Sequence, residues 1–221
     1  DTTLPAEADT AVTRAVAGGA LWGRFDVTIE GHSVMFPLIA ALMGVDSALR
    51  YGASTLTPAQ RRHRTLAALI EQLWAVLRSC VSACGGHEVE ARADEFFAVF
   101  ESPRAAVDSA IDMQRALPQR TWPGDAEVRV RIGIHSGYPT STASNYVGLD
   151  VNITSRVCSL GHGGQIVVSA NTREAVKASG PQGVAFKSLG AHHLRGVGAP
   201  ISLYQVMSDG LRSRFPPLRP S

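Results

Sequence analysis

Asn152 and Arg156 stand four residues apart in "NITSR". On a helix that spacing projects both side chains from one face, a single turn apart. A guanidinium is a rigid fork of donors, suited to phosphate oxygens and to charge that develops on them in a reaction. Two carboxylates stand out upstream. Asp94 lies in "RADEFF", between two short strand-like runs, and Asp46 ends the apolar run "FPLIAALMGVD". Taken alone, Asp46 suits a strand end or a helix cap better than a ligand set. Glu90, four residues before Asp94, only accepts hydrogen bonds when ionised, whereas Asn145 both donates and accepts. Arg195 in "HLRGVGAP" suits a phosphate or open solvent about equally. His135 ends a strand-like run and is expected to be a satisfied core histidine. His162, His192 and His193 are expected in loops and form no zinc-type spacing.

The elements that must carry these residues are legible. "TPAQRRHRTLAALIEQLWAVLRSCVSACGG" predicts a helix with Thr57 as N-cap, Pro58 at its first position and Gly85–Gly86 at its end. Leu66, Ile70, Leu73, Leu77, Val81 and Cys84 recur at steps of three and four, forming one buried stripe. "HEVEARADEFFAVF" predicts two strands folded about Ala93–Asp94. "SPRAAVDSAIDMQRAL" predicts a helix capped by Ser102, and the period-two "EVRVRIGIHSG" a strand. "VGLDVNITSRVCSLG" predicts the helix of Asn152 and Arg156. After it come a strand in "GQIVVS", a helix capped by Ser169, and strands in "VAFKSLG" and "ISLYQVM". With the apolar run of 36–46 as first strand, the order is βαββαβ followed by further αβ pieces. This predicts an α+β domain of ferredoxin-like plan with helices on one face of the sheet.

Composition narrows the function classes. The chain has 221 residues, 45% of them apolar, enough to bury one substantial core. With 21 basic against 19 acidic residues and a net charge of +2, recruitment to nucleic acid or membrane by bulk charge is not expected. No apolar run is expected to reach spanning length and no signal peptide is evident, so a soluble cytoplasmic protein is expected. Cys80, Cys84 and Cys158 lack metal spacing and are expected as small reduced core residues. Residues 1–35 are expected as an N-terminal arm or added hairpin, 36–207 as the domain, and 208–221, with the prolines of "SRFPPLRPS", as a flexible tail.

From "HEVEARADEFFAVF" onward the chain resembles the class III nucleotide cyclase catalytic domains, in their actinobacterial branch. "RVRIGIHSG", "NYVGLDVNITSRVC", "HGGQIVVS" and "LGAHHLRGVGAPISLYQV" match in order. The resemblance implies conversion of a nucleoside triphosphate to its 3′,5′-cyclic monophosphate. It also implies two divalent cations, Mn²⁺ or Mg²⁺, held by two aspartates: one ending the first strand and one in the hairpin between the next two. Asp94 matches the second, with Ala93 replacing a glycine. "FDVTIEGHSVMF" at 25–36 looks like the first motif, F-x-D-I-x-G, but Thr28 stands at its carboxylate. Asp46, 48 residues ahead of Asp94 and at the end of the apolar run, has the separation the family implies, and is expected to be the metal ligand. The usual glycine after it is missing.

By the same resemblance Asn152 orients the ribose, Arg156 stabilises the transition state, and Arg195 lies where the family often has a triphosphate-binding lysine. Glu90 and Asn145 occupy the base-selecting positions. An ionised Glu90 cannot donate to adenine N1, but accepts from the imino hydrogen of uracil or guanine or the amino group of cytosine. The implied order is UTP or CTP, as in the bacterial pyrimidine cyclases that signal phage infection, then GTP, then ATP. Both halves of the site in one chain imply a homodimer. The alternative is a catalytically silent cyclase-like nucleotide sensor.

Overall fold

The computed structural model describes residues 18–29, 32–33, 58–92, 95–123, 126–141, 146–180 and 183–220. Of these, 18–29, 32–33, 58–63, 92 and 141 are described by their backbone. The elements are β1 (Gly18–Ile29), β2 (His32–Ser33), α1 (Pro58–Ala83), β3 (His87–Arg92), β4 (Glu95–Phe100) and α2 (Pro103–Ala116). There follow β5 (Glu127–Gly137), β6 (Thr140–Ser141), β7 (Tyr146–Val147), α3 (Leu149–Leu160), β8 (Ile166–Ser169), α4 (Ala170–Ala178), β9 (Ala185–His192) and β10 (Ile201–Met207). The main sheet runs β3-β4-β1-β5-β8-β10-β9, with β2 on β1. The α+β plan holds, with β1, α1, β3, β4, α2 and β5 as its βαββαβ core.

One strand expectation is corrected. Residues 18–29, expected inside an N-terminal arm or added hairpin, do pair with β2 (Thr28↔Ser33, Ile29↔His32) but form a central strand of the sheet. β1 runs antiparallel to β5 from Gly18↔Gly137 to Thr28↔Glu127, and antiparallel to β4 from Gly19↔Phe100 to Arg24↔Glu95. The place that the run of 36–46 was expected to take beside β4 and β5 is therefore filled; 36–46 itself lies outside the described residues. Strand pairing is a non-local choice. The glycines, Arg24 and Asp26 of β1 make it look less strand-like than the more apolar run that follows.

Helix signals were accurate because they are local. α1 begins at Pro58, and the Gly86 N–H donates to Val81 O at 2.9 Å to close its end; Thr57 lies outside the described residues. Leu66, Leu69, Ile70, Leu73, Val76, Leu77 and Val81 are buried. α2 and α4 are capped by Ser102 and Ser169, whose hydroxyls accept from Ala105 N and Thr172 N. Contrary to the sequence expectation, one segment, Arg64–Ala83 within α1, is long and apolar enough to cross a membrane by length and composition (mean hydropathy 1.3). Its buried stripe belongs to the core.

The sheet has two unlike faces. On one, α1, α2 and α4 pack over Phe96, Ala98, Phe100, Val130, Ile132, Ile134, Ile166 and Val168. On the other lies α3, so the helices are not confined to one face. Ile153, Val157 and Leu160 of α3 pack against Val167, Leu194 and Leu203, and Val151 packs with Phe97 and Val99. The segment after β10 is a packed strap, not a loose tail. Leu211 joins the main core and Leu218 the α3 cluster, while the Arg219 N–H donates to Leu160 O at 2.9 Å. The prolines exclude a ladder, but extended chain with free carbonyls still packs. One such carbonyl, Pro217 O, accepts from His162 Nε2 at 2.8 Å.

Candidate active site

α3 is seated on β5 by missing side chains. Along β5, Val128, Val130, Ile132 and Ile134 point into the main core, so Arg131, Gly133, His135 and Gly137 face α3. A Cβ at Gly133 would run into the backbone of Cys158, and one at Gly137 into the Asp150 carboxylate. Both glycines are thus required by close approach of the helix. The loop enters α3 through Gly148, whose φ of 129° a side chain would strongly disfavour.

Seated this way, α3 turns Ile153, Thr154, Val157 and Cys158 inward and leaves Asn152 and Arg156 exposed, one turn apart as the spacing predicted. Among the described residues neither side chain has a hydrogen-bond partner. Arg195 is exposed in the turn between β9 and β10, which the Val197 N–H closes onto Leu194 O at 3.0 Å. Leu194 and Val197 pack with Ile153 and Val157, so this turn lies against the helix that carries Asn152 and Arg156.

Glu90 is exposed on β3 and pairs with Phe97 of β4. Phe97 packs with Val89, Tyr146 and Val151, so Glu90 lies on the α3 side of the sheet. A register shift between Glu88 and Glu90 lets Val89 and Glu90 both face that way. The structure therefore brings Glu90, Asn152, Arg156 and Arg195 to one side of the sheet. Asp46, Asp94 and Asn145 lie outside the described residues. Among the described residues no cluster of three or more His, Cys, Asp or Glu side chains could hold a metal. β1 continues past its last pair with β4, Arg24↔Glu95, through Asp26, which pairs with Arg129, to Thr28. The end of β1 thus runs past Glu95, the first residue of β4.

His135 is 3% exposed, a satisfied core histidine as expected. Its Nδ1 lies 2.7 Å from Ser169 Oγ and its Nε2 3.2 Å from Asp150 Oδ1. Burial pushes the imidazole below its ordinary pKa, while the hydrogen bond and charge of Asp150 pull it back in part. Asp150 Oδ2 accepts the Tyr138 N–H at 2.7 Å. Sequence reasoning missed Asp150, Gly133 and Gly137. A signal existed in the glycines of "RIGIHSG", which alternate with His135 on one face of the strand. The three cysteines are free. Burial first, then Asp112, raises the Cys80 and Cys84 thiols, so neither is a ready nucleophile.

Comparison with known proteins agrees with this architecture. Residues 53–208 match the family described as adenylate and guanylate cyclase catalytic domain. An uncharacterized protein of Mycobacterium tuberculosis is 37% identical over 126 residues, 57% of this chain and 42% of that protein. A receptor-type adenylate cyclase of Trypanosoma equiperdum is 24% identical over 173 residues, 59% of this chain and 37% of that protein. The chain thus spans well under two thirds of the length of these relatives. In structure, an adenylate cyclase of Trypanosoma brucei in its monomeric state superposes with a TM-score of 0.69 at 20% identity, covering 95% of each chain. The guanylate cyclase domain of RhGC from Catenaria anguillulae, in complex with GTP, gives a TM-score of 0.63 at 18% identity, covering 87% of this chain and 97% of that one. At these identities the likeness is one of fold.

Proposed function

Because the chain belongs to the adenylate and guanylate cyclase catalytic domain family, we propose that it is a nucleotide cyclase, active as a homodimer on a nucleoside triphosphate. The observation that carries this is the outward face of α3. Asn152 and Arg156 are exposed there without protein partners among the described residues, on the sheet side that also carries Glu90 and Arg195. The ribose 3′-oxygen attacks the α-phosphorus in line. One P–O bond forms, the bond to the bridging oxygen breaks, pyrophosphate leaves, and the hydroxyl proton passes to solvent. Arg156 supplies a donor fork to the α-phosphate oxygens as charge develops on them. Asn152 orients the ribose, and Arg195 takes the terminal phosphates. Two divalent cations, when bound, supply a lower 3′-hydroxyl pKa and neutralise the leaving group.

Asp94 is one proposed metal ligand. Asp46 is the other by its separation of 48 residues from Asp94 and by ending an apolar run, although β1 holds the place beside β4 and β5 that this run was expected to take. Asp26 on β1 is therefore the competing second ligand, by backbone register. Glu90 and Asn145 are proposed to select the base, favouring UTP or CTP over GTP and ATP. A cytoplasmic setting and a role as an antiviral second-messenger source belong to the same proposal. A silent nucleotide sensor is the second reading, favoured by Thr28, which β1 places on a central strand where the family motif has its carboxylate.

Purified protein is incubated with Mn²⁺ and each of ATP, GTP, CTP and UTP, and products are resolved by mass. One cyclic monophosphate is expected, lost in Asp94→Ala and in either Asp26→Ala or Asp46→Ala. No product from any of the four, with the dimer intact, would establish the silent reading.

A further inference from the structure

The first turn of α3 lacks a local anchor. Its N-cap is Gly148, which has no side chain to cap with, and the first intrahelical bond, Asn152 N–H to Gly148 O, is 3.4 Å long. Helix starts of this kind fray unless something else holds them. Here the holding contact comes from the sheet. Asp150, in that first turn, presents both carboxylate oxygens to β5 and the residues just after it: Oδ1 to His135 Nε2 and Oδ2 to the Tyr138 N–H.

The proton arrangement is set by partner chemistry. A carboxylate only accepts, so the hydrogen of neutral His135 is assigned to Nε2 and Nδ1 accepts from the Ser169 hydroxyl. Ser169 in turn accepts the Thr172 N–H at the start of α4, and Thr172 Oγ1 accepts from the Ser136 hydroxyl at 3.0 Å and donates to Ile134 O at 3.3 Å. One buried chain thus ties the starts of α3 and α4 to the end of β5.

We propose that His135 and Asp150 are a positioning couple: through Asp150, His135 fixes the first turn of α3, and with it the direction of Asn152 and Arg156. This rests on the assignment of those two residues to the substrate. Neither member of the couple touches the nucleotide in this scheme. Asn152 is two residues beyond Asp150, so a tilt of the first turn carries it away from the ribose, while Arg156 one turn later moves less. The glycines on either side of His135 support this geometry, because they let α3 come close enough for imidazole and carboxylate to meet. The consequence is a loss in turnover more than in ground-state affinity, since misplacement of an orienting group is felt most at the reacting atoms.

The test uses the whole chain, with His135→Ala, His135→Gln and Asp150→Asn. Glutamine keeps a donor for Asp150 and an acceptor for Ser169. With the nucleotide that gives product, His135→Ala is expected to lower kcat by about tenfold or more with KM changed less than about threefold. His135→Gln is expected to recover most of that loss, and Asp150→Asn to resemble His135→Ala. Turnover within twofold of wild type in His135→Ala, or failure of glutamine to recover any of its loss, would overturn the couple. Two spectroscopic arms do not depend on activity. The wild-type imidazole should carry its hydrogen on Nε2 in ¹⁵N spectra; hydrogen on Nδ1 overturns the assignment even where the alanine variant does not fold. In His135→Gln the backbone amide shifts should concentrate in Gly148–Arg156; shifts spread evenly through the core would overturn the proposal. If wild type forms no cyclic nucleotide, the cyclase reading fails and these two arms alone decide the couple.

Discussion

The two faces of the sheet divide the labour of this protein, and β5 shows how. Its inward positions Val128, Val130, Ile132 and Ile134 lie in an apolar core under three helices. Its alternate positions Arg131, Gly133, His135 and Gly137 meet one helix through glycines, a histidine and a carboxylate. The first face gains stability from area removed from water and tolerates any well-shaped apolar side chain. The second gains position. Its contacts are polar and directional, and its helix is held close by the absence of side chains. A period of two lets a single strand serve both ends.

The division can be broken from either side. The largest expected effect is on chemistry without stability. Arg156→Ala should lower kcat/KM by about 10²–10³-fold, while urea denaturation shifts by no more than about 0.5 kcal/mol, as for an exposed surface position. A large loss of stability would show that α3's outward face is structural after all. The converse variant lies on the other face. Leu73→Ala, at a position with no exposed surface, should destabilise by about 2–5 kcal/mol. Turnover per folded molecule should stay near wild type below the unfolding transition.

The smallest effect sharpens the comparison through pH. His135 is held below its ordinary pKa, mainly by burial. Asp150 faces it from α3, and neutral Ser169 lies against it from the end of β8. Below about pH 6.5 the unfolded chain takes up a proton that native His135 refuses. Stability from this group is therefore full above about pH 6.5 and is lost as pH falls toward the folded value, at no more than about 1.4 kcal/mol per pH unit. Denaturation of wild type and His135→Gln between pH 5 and 8 checks this: the glutamine variant should lose less stability on acidification. Equal slopes would mean that the imidazole is not held neutral.

Much of the architecture was legible because it is local. The caps at Ser102 and Ser169, the end of α1 at Gly85–Gly86, its stripe of leucines and the alternation of β5 each depend on neighbours a few residues away. The four-residue spacing of Asn152 and Arg156 likewise survives in any helix, and so does their common face. The candidate site was less legible. Glu90 faces α3 because of a register shift in β3, and Arg195 lies beside that helix because Leu194 and Val197 pack there. Neither is a property of the residue's own segment.

By itself, then, the sequence determined the order of the main elements from α1 onward, the caps at Ser102 and Ser169, the α+β plan and the pairing of Asn152 with Arg156 on one face. Only the tertiary structure decided that Gly18–Ile29 is a central strand, between β4 and β5. It also decided that the proline-rich end is a strap and that His135 meets Asp150. The physical reason is shared. Helices and caps satisfy their hydrogen bonds within a few residues, so composition and spacing suffice. A strand's partners and a buried histidine's acceptor come from distant parts of the chain, which apolar content within one segment does not encode.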